Sequence, residues 1–383
     1  MSNAIRGSVA VVGVGLAGLG EAPGRTAIEI LAEACYRALA DAGLRTRDVD
    51  GLLGVTAYHA SATLSAGEYL GIRPKFSDNN YMGGSSPVSH LLPAALALDA
   101  GLCDVALVCY GSNQRTDLGR LKSRSEPQPY ETPYQPRHPI TSYALAAARY
   151  MYQYGATREQ LAEVAVAARR WAQLNPEAFM RGPLTVEDVL NSRMVNDPLS
   201  VRDCCLVTDG GGAYVMVRAD RARDFPNKPV YLLGAAAAFW HLQIASMPDF
   251  TVTAATESGP RAFEMAGLSP SDVDVIELYD AFTINTILFL EDLGFCKKGE
   301  GGAFVSGGRI APGGALPVNT NGGGLSCCHP GMYGIFTIIE AVRQLRGGAG
   351  ERQVKGAEVA LCHGSGGRLS SQVTALLGTE ATL

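Results

Sequence analysis

No apolar run in the 383 residues approaches the roughly 18–20 residues that span a bilayer, so a membrane-spanning helix is not expected. Charge of one sign is also missing. Lys and Arg total 32 against 37 Asp and Glu, a formal net charge of −5, which gives no electrostatic reason to expect nucleic acid or an anionic membrane as partner. The nine cysteines show no C-x-x-C spacing, so no zinc site is read from them, and a large chain of this kind gives little reason to propose disulfides. The opening residues Ser2 to Arg6 lack the layout of a signal peptide, and a cytoplasmic location is expected. Long low-complexity tracts are absent as well. The 45 glycines cluster at particular loops, as backbone turns around a ligand require.

What is present repeats itself. Residues 38–50 (ALADAGLRTRDVD) and 262–274 (AFEMAGLSPSDVD) share the ungapped pattern A-x-x-x-A-G-L-x-x-x-D-V-D. Each reads as an amphipathic helix ending at glycine, a short acidic turn, then a strand, at Gly51–Thr56 and Val275–Leu278. A second pair follows in the same order, DVALVC at 104–109 and EVALC at 358–362. Two similar α/β halves, 1–225 and 226–383, are predicted, with ligands expected at the seam. Residues 112–205 have no counterpart in the second half. They form a long insertion predicted to cover the seam, with helices at Ser142–Tyr154 and Arg158–Leu174 and a buried face of Leu161, Val164, Val166 and Trp171.

Four loops at predicted strand ends carry possible chemistry, which is where open α/β sheets place ligands. Tyr81 to Pro87 precedes a helix predicted at Val88–Ala100. Its N-terminus suits a carbonyl oxygen or oxyanion, and Ser85 or Ser86 is either a nucleophile or a helix cap. Glu277 to Thr283 holds Tyr279, a hydrogen-bond donor or acid/base, or else a tyrosine packed at a turn with Asp280 capping the helix. Asn319 to Gly331 contains His329, set between Cys328 and Pro330 in a glycine-rich loop and suited to proton transfer near neutral pH. Leu361 to Gly367 contains Cys362, expected to emerge at a strand end beside N–H groups that can bind an oxyanion, or to lie buried there. Cys204 and Cys205 are read as core packing.

In this order, the glycine-rich turn, Tyr279-Asp280-Ala281-Phe282, the Gly-Gly…Ser-x-x-His-Pro loop and the late Cys-x-Gly-x-Gly-Gly turn resemble the thiolase superfamily over essentially the whole chain. Phe295 to Glu300, Asp203-Cys204-Cys205 and Arg343 to Gly347 are similar to its sterol-carrier/lipid-transfer type, the branch with steroid side-chain aldolases. The resemblance implies a layered α-β-α-β-α thiolase fold. It makes His329 the Gly-His-Pro histidine, with Cys328 replacing the usual glycine, and Cys362 the acid/base cysteine. Tyr279 takes a position held by asparagine or histidine in relatives. The nucleophilic cysteine falls on Gly84, which has no side chain to acylate.

Without a nucleophile such a fold can still bind a coenzyme A thioester and stabilise an enolate. Retro-aldol cleavage of a β-hydroxyacyl-CoA needs only that, releasing a short acyl-CoA and an aldehyde or ketone. Tyr279, His329 and Cys362 are the catalytic candidates. Gly84, Ser85, Asn321, Gly364 and Gly366 are candidates to hold the thioester or oxyanion. The alternatives are a thiolase or acetyl-CoA acyltransferase using Ser85 or Cys362, and a non-catalytic acyl-CoA or lipid-binding subunit. The resemblance further implies a homodimer, a small zinc-ribbon/OB-fold partner chain, and no tightly bound cofactor beyond coenzyme A as part of the substrate. Aldolase relatives tend to carry tyrosine in the His329 loop, a departure that bears on the catalytic apparatus.

Overall fold

Each copy of the repeated pattern folds in the same way. Helices Ala27–Asp41 and Ala255–Ala266 are followed by Gly43 and Gly267 in the left-handed conformation, at φ 70° and 65°. A one-turn helix comes next, closed by Asp48 accepting from Arg45 N at 2.8 Å and by Asp272 accepting from Ser269 N at 2.7 Å. The final aspartate of each pattern reaches sideways. Asp50 accepts from the N–H groups of Asp104 and Val105, at 2.8 and 2.9 Å, and Asp274 from those of Glu358 and Val359 at the same two distances. The pattern therefore fixes where the neighbouring strand of its own half begins.

The computed structural model describes residues 5–122, 126 and 128–383. Residues 1–4, at the amino terminus, and 123–125 and 127, in the polar start of the insertion, lie outside the described residues. The first half contributes strands β1 (Val9–Gly20), β2 (Gly51–Gly54), β3 (Phe76–Asp78) and β4 (Ala106–Ser112). The insertion carries a small hairpin, β5 (Met194–Asn196) and β6 (Leu199–Ser200), and β7 (Asp209–Arg218) completes the half. The second half supplies β8 (Val230–Phe239), β9 (Val275–Leu278), β10 (Val359–Gly366) and β11 (Ser371–Gly378). Read outward from the seam, β1-β7-β4-β2 is matched by β8-β11-β10-β9. In both, the first two pairings are antiparallel and the third parallel. Within the sheet the halves meet where β1 pairs with β8, at Ala10↔Tyr231 and Val11↔Val230.

Helix Ala27–Asp41 covers the outer face of the first half and helix Ala255–Ala266 that of the second. Between the halves lie Ser86–Ser89, Leu91–Asp99 and Gly334–Arg346, each touching strands of both. This is the expected α-β-α-β-α layering. The outer helices approach their strands closely because small residues permit it. A Cβ on Gly13 would stand 2.3 Å from Ala38 O, and one on Gly234 2.4 Å from Ala262 O.

The helix predicted at 88–100 is divided at His90. Pro93 lacks the N–H that would bond the carbonyl of Ser89 and its ring crowds that carbonyl, so the two segments meet there. The insertion forms helices Ile140–Tyr154 and Arg158–Gln173. Leu161, Val164 and Trp171 are buried as expected, whereas Val166 packs on a separate small cluster around Val189. Among the described residues no helix is long and apolar enough to cross a membrane.

The glycine contacts generate a test. Gly13→Val or Gly234→Val should cost about 1–3 kcal/mol or more through overpacking, read as a fall of several degrees in the thermal midpoint. An unchanged midpoint would contradict the close approach.

Candidate active site

Tyr279 leaves the end of β9 with its N–H donating to His363 O at 2.9 Å, which extends the pairing with β10 by one residue. Its hydroxyl lies 3.0 Å from His329 Nε2 and 2.9 Å from Gly331 O. The Tyr279 and His329 rings stand at 89° with centroids 5.5 Å apart, and Tyr333 meets Tyr279 edge-on at 5.8 Å. A phenol carries one proton and a carbonyl can only accept. Both contacts are satisfied when Tyr279 donates to Gly331 O and His329 Nε2–H donates to the phenol oxygen. His329 Nδ1 is then left with a free lone pair, and it has no partner among the described residues. Burial lowers the pKa of His329 to about 4, so the ring is neutral, and it pushes the phenol of Tyr279 well above its usual range.

The histidine loop is fastened from both halves. Asp280 does not cap the following helix, whose N-cap is Phe282. Its carboxyl instead accepts from Gly324 N at 2.6 Å and Leu325 N at 3.3 Å, and burial raises its pKa to about 7. Gly323, at φ 65°, could carry no Cβ, since one would fall 2.0 Å from Asp280 Oδ2. Asn321 accepts from Gly323 N at 2.7 Å and from Tyr333 at 2.8 Å. From the first half, Gln114 donates to His329 O at 2.9 Å, Thr208 Oγ1 accepts from His329 N at 2.9 Å, and Tyr110 donates to Pro330 O.

Gly84 faces this pair. A Cβ built there would lie 2.1 Å from Tyr279 Cε2 and 2.5 Å from its hydroxyl oxygen. The tyrosine fills the space that any side chain at residue 84 would need.

Residues 236–379 match a family model described as Thiolase C-terminal domain-like. The acetyl-CoA acetyltransferase of Methanothermobacter thermautotrophicus is 37% identical, over 94% of this chain and 96% of that relative. The chain belongs to the thiolase superfamily. The steroid side-chain-cleaving aldolase of Thermomonospora curvata is 35% identical, over 89% of this chain and 91% of the relative. A chain of the solved Ltp2-ChsH2(DUF35) aldolase superposes with a TM-score of 0.90 at 34% identity, over 98% of this chain and 99% of the other. Within the superfamily the chain falls in the sterol-carrier-type branch.

The other thiolase-like positions are distributed unevenly. Cys362 does not emerge at a strand end, because β10 continues through Gly366 paired with β11. Its thiol is fully buried, lies 3.5 Å from Thr337 O, and is pushed far up by desolvation. The neighbouring His363 points to the opposite face, as strand alternation requires, and bonds Thr374 and Gln372, each at 2.9 Å. No hydrogen bond or ring contact among the described residues links Cys362 to Tyr279 or His329. Ser85 is buried with its hydroxyl 2.7 Å from that of Ser371, with no base beside it. Gly364 and Gly366 lie in the β10–β11 ladder and admit the turn at 82–88. A Cβ on Gly364 would stand 3.0 Å from Ser85 Cα, and one on Gly366 1.8 Å from Met82 O. Cys204 and Cys205 are half-buried and pack against the core, with Cys205 N donating to Ala281 O and Cys204 forming a backbone bridge with Phe282. No group of three or more His, Cys, Asp or Glu suited to a metal occurs among the described residues.

Sequence reasoning missed Glu277, two residues before Tyr279. Glu277 Oε1 accepts from Thr320 N at 3.1 Å and lies 2.7 Å from Thr320 Oγ1, itself 2.9 Å from Glu340 Oε1. Glu340 is held at 2.8 and 2.9 Å by Arg352. One hydroxyl proton cannot serve two carboxylates, so a proton on Glu277 completes the chain Glu277–Thr320–Glu340–Arg352. Burial, with Glu340 adding to it, pushes the Glu277 carboxyl well above the usual range. The network ties β9 to the Asn319–Asn321 segment, which Asn319 reinforces by accepting from Leu278 N at 2.6 Å.

A raised folded pKa means that stability from Glu277 is full below its unfolded pKa and is lost as pH rises. Glu277→Gln cannot ionise, so it gives up one of the two bonds at Oε1 at every pH but escapes the pH-dependent loss. Its stability relative to wild type should therefore increase above about pH 4.5 by up to about 1.4 kcal/mol per pH unit. A stability difference that does not change with pH in denaturant titrations would refute the proton on Glu277.

Proposed function

We propose that this thiolase-superfamily enzyme cleaves β-hydroxyacyl-CoA thioesters by a retro-aldol reaction. The observation that carries this reading is the Tyr279 hydroxyl, lodged where a side chain on residue 84 would stand and within hydrogen-bond distance of His329. A covalent acyl-enzyme at residue 84 has no atom to form on, whereas a proton donor and a proton acceptor stand side by side. The 35% identity with a steroid side-chain-cleaving aldolase supports the same reaction class.

In this mechanism the thioester oxygen takes the place of Gly331 O as acceptor from Tyr279, whose donor strength is reinforced by His329 Nε2–H. His329 Nδ1 takes the proton of the β-hydroxyl. The Cα–Cβ bond breaks, its electron pair forms the enolate, and the β-carbon leaves as an aldehyde or ketone. The enolate oxygen is held by Tyr279, and the imidazolium returns its proton to Cα. Low basicity of the buried imidazole favours that return. Cys362 takes no part in these steps.

Coenzyme A is supplied as part of the substrate. A DUF35-type partner chain, of the zinc-ribbon/OB-fold kind, is proposed on the likeness to the Ltp2-ChsH2(DUF35) aldolase, together with a homodimer and a cytoplasmic location. The reading extends to lipid or steroid side-chain degradation as the setting. The 37% identical acetyl-CoA acetyltransferase keeps the opposite chemistry as an outcome of the test.

The test supplies the chain, alone and with a DUF35-type partner, with a β-hydroxyacyl-CoA and separately with a β-ketoacyl-CoA plus free coenzyme A. Release of aldehyde or ketone without added coenzyme A is expected. Coenzyme A-dependent cleavage of the keto substrate instead would overturn the lyase assignment. Tyr279→Phe should lower kcat about 10²–10³-fold. His329→Ala should lower it about 10²–10⁴-fold. Since His329 must be neutral to accept a proton, kcat should fall as pH drops through about 4. An acid limb centred near 6.5 would argue against a buried imidazole base.

A further inference from the structure

We infer that Tyr143, on the insertion helix Ile140–Tyr154, is a specificity-determining residue whose ring occupies the place of the acyl group beyond the β-carbon. This rests on Tyr279 and His329 being the reaction centre. Both are almost sealed from solvent, at 5% and 3% exposure, so a thioester reaches them only if something above them yields.

Tyr143 spans the two walls of that centre. Its ring stacks on Phe282, three residues beyond Tyr279, with centroids 4.3 Å apart and planes at 29°. Its hydroxyl reaches Gly367 O on the opposite wall, at 3.4 Å. That second wall packs on the residue-84 turn, where a Cβ on Gly83 would stand 2.7 Å from Gly367 N. Exposure rises outward through this group. Tyr143 is 3% exposed, Arg368 is half-buried and Gly367 is exposed, so the ring lies between the rim and the buried pair.

The helix is held unequally along its length. Near its C-terminal end Tyr150 donates to the buried carboxylate of Glu291, a charge-assisted bond. Near its N-terminal end the contacts are between neutral groups. Tyr143 stacks on Phe282, and its hydroxyl reaches Gly367 O at the long limit of hydrogen bonding and interacts with Leu369 and Asn285. Thr141 accepts from Asn196 at 2.9 Å. The end over the site is thus the end that gives way. The face it uncovers is aromatic and apolar, with the Phe282 ring as its floor, and it suits an aromatic or alicyclic acyl group better than a short aliphatic one.

The test uses the full chain and, where cleavage needs it, a DUF35-type partner. Butyryl-CoA and 3-phenylpropionyl-CoA, which lack the β-hydroxyl and are not cleaved, are titrated by calorimetry into wild type, Tyr143→Ala, Tyr143→Phe and Tyr143→Trp. Tyr143→Ala should shift the affinity ratio toward the phenyl compound at least tenfold, and Tyr143→Trp should shift it the other way. Tyr143→Phe should keep the wild-type ratio within twofold. Ratios unchanged in both the Ala and Trp variants, or both ligands weakened equally, would overturn the inference, and the Trp variant decides it if the Ala variant does not fold. The matching 3-hydroxy thioesters, 3-hydroxybutyryl-CoA and 3-hydroxy-3-phenylpropionyl-CoA, are assayed for cleavage in parallel. Shifted ratios without any cleavage leave Tyr143 assigned and sink the lyase reading. Cleavage with unshifted ratios does the reverse.

Discussion

Three consecutive carbonyls, those of His329, Pro330 and Gly331, are held by Gln114, Tyr110 and Tyr279 respectively, and the resting geometry of the site depends on that row. Two of the donors belong to the first half of the chain and the third to the second. Buried carbonyls demand partners, so the loop that bears the histidine is in register only when both halves are docked. The same requirement explains why the central helices touch strands on both sides. Tyr279 and His329 both belong to the second half, but the histidine loop is gripped from the first, so their placement depends on a rigid seam.

Polar groups buried around the pair serve placement more than reaction. Asp280 uses its carboxyl to shape the glycine turn, and Glu277, Thr320, Glu340 and Arg352 brace the strand behind it. Each group is bonded to a neighbour that is itself fixed, although Glu277 Oε2 has no partner among the described residues, and the bracing confers positional precision in a low-dielectric interior. Nδ1 of His329 is a buried nitrogen without a partner among the described residues, on a loop whose backbone is bonded from both halves. An unsatisfied buried polar atom is costly, and in the proposed mechanism the substrate's β-hydroxyl is what completes this one.

The duplicated architecture was legible because its signal is local. A helix stop, a one-turn cap and a strand-pinning aspartate all fall within thirteen residues, twice. Tyr279 and His329 were legible as strand-end and glycine-loop residues, and the structure brings their side chains together. For Cys362 the buried alternative holds, but the strand end does not, since the strand continues as a ladder to Gly366. Asp280 looked like a helix cap because its true partners, Gly324 and Leu325, are 44 and 45 positions away. Glu277, Tyr143 and the Gln114–Tyr110–Thr208 grip left no pattern in the sequence. Their roles arise from contacts between segments distant in the chain, which periodicity cannot register.

The clash between residue 84 and Tyr279 has an evolutionary reading. A cysteine gained at 84 while the tyrosine remains would meet ring atoms well inside van der Waals contact. A smaller residue gained at 279 while glycine remains at 84 leaves a void with neither nucleophile nor phenol. The two positions therefore form an epistatic pair, in which each single step passes through a less fit intermediate. A lineage that has exchanged both is held on its side of that valley, and acyl transfer and carbon–carbon cleavage become separate adaptive peaks on one scaffold.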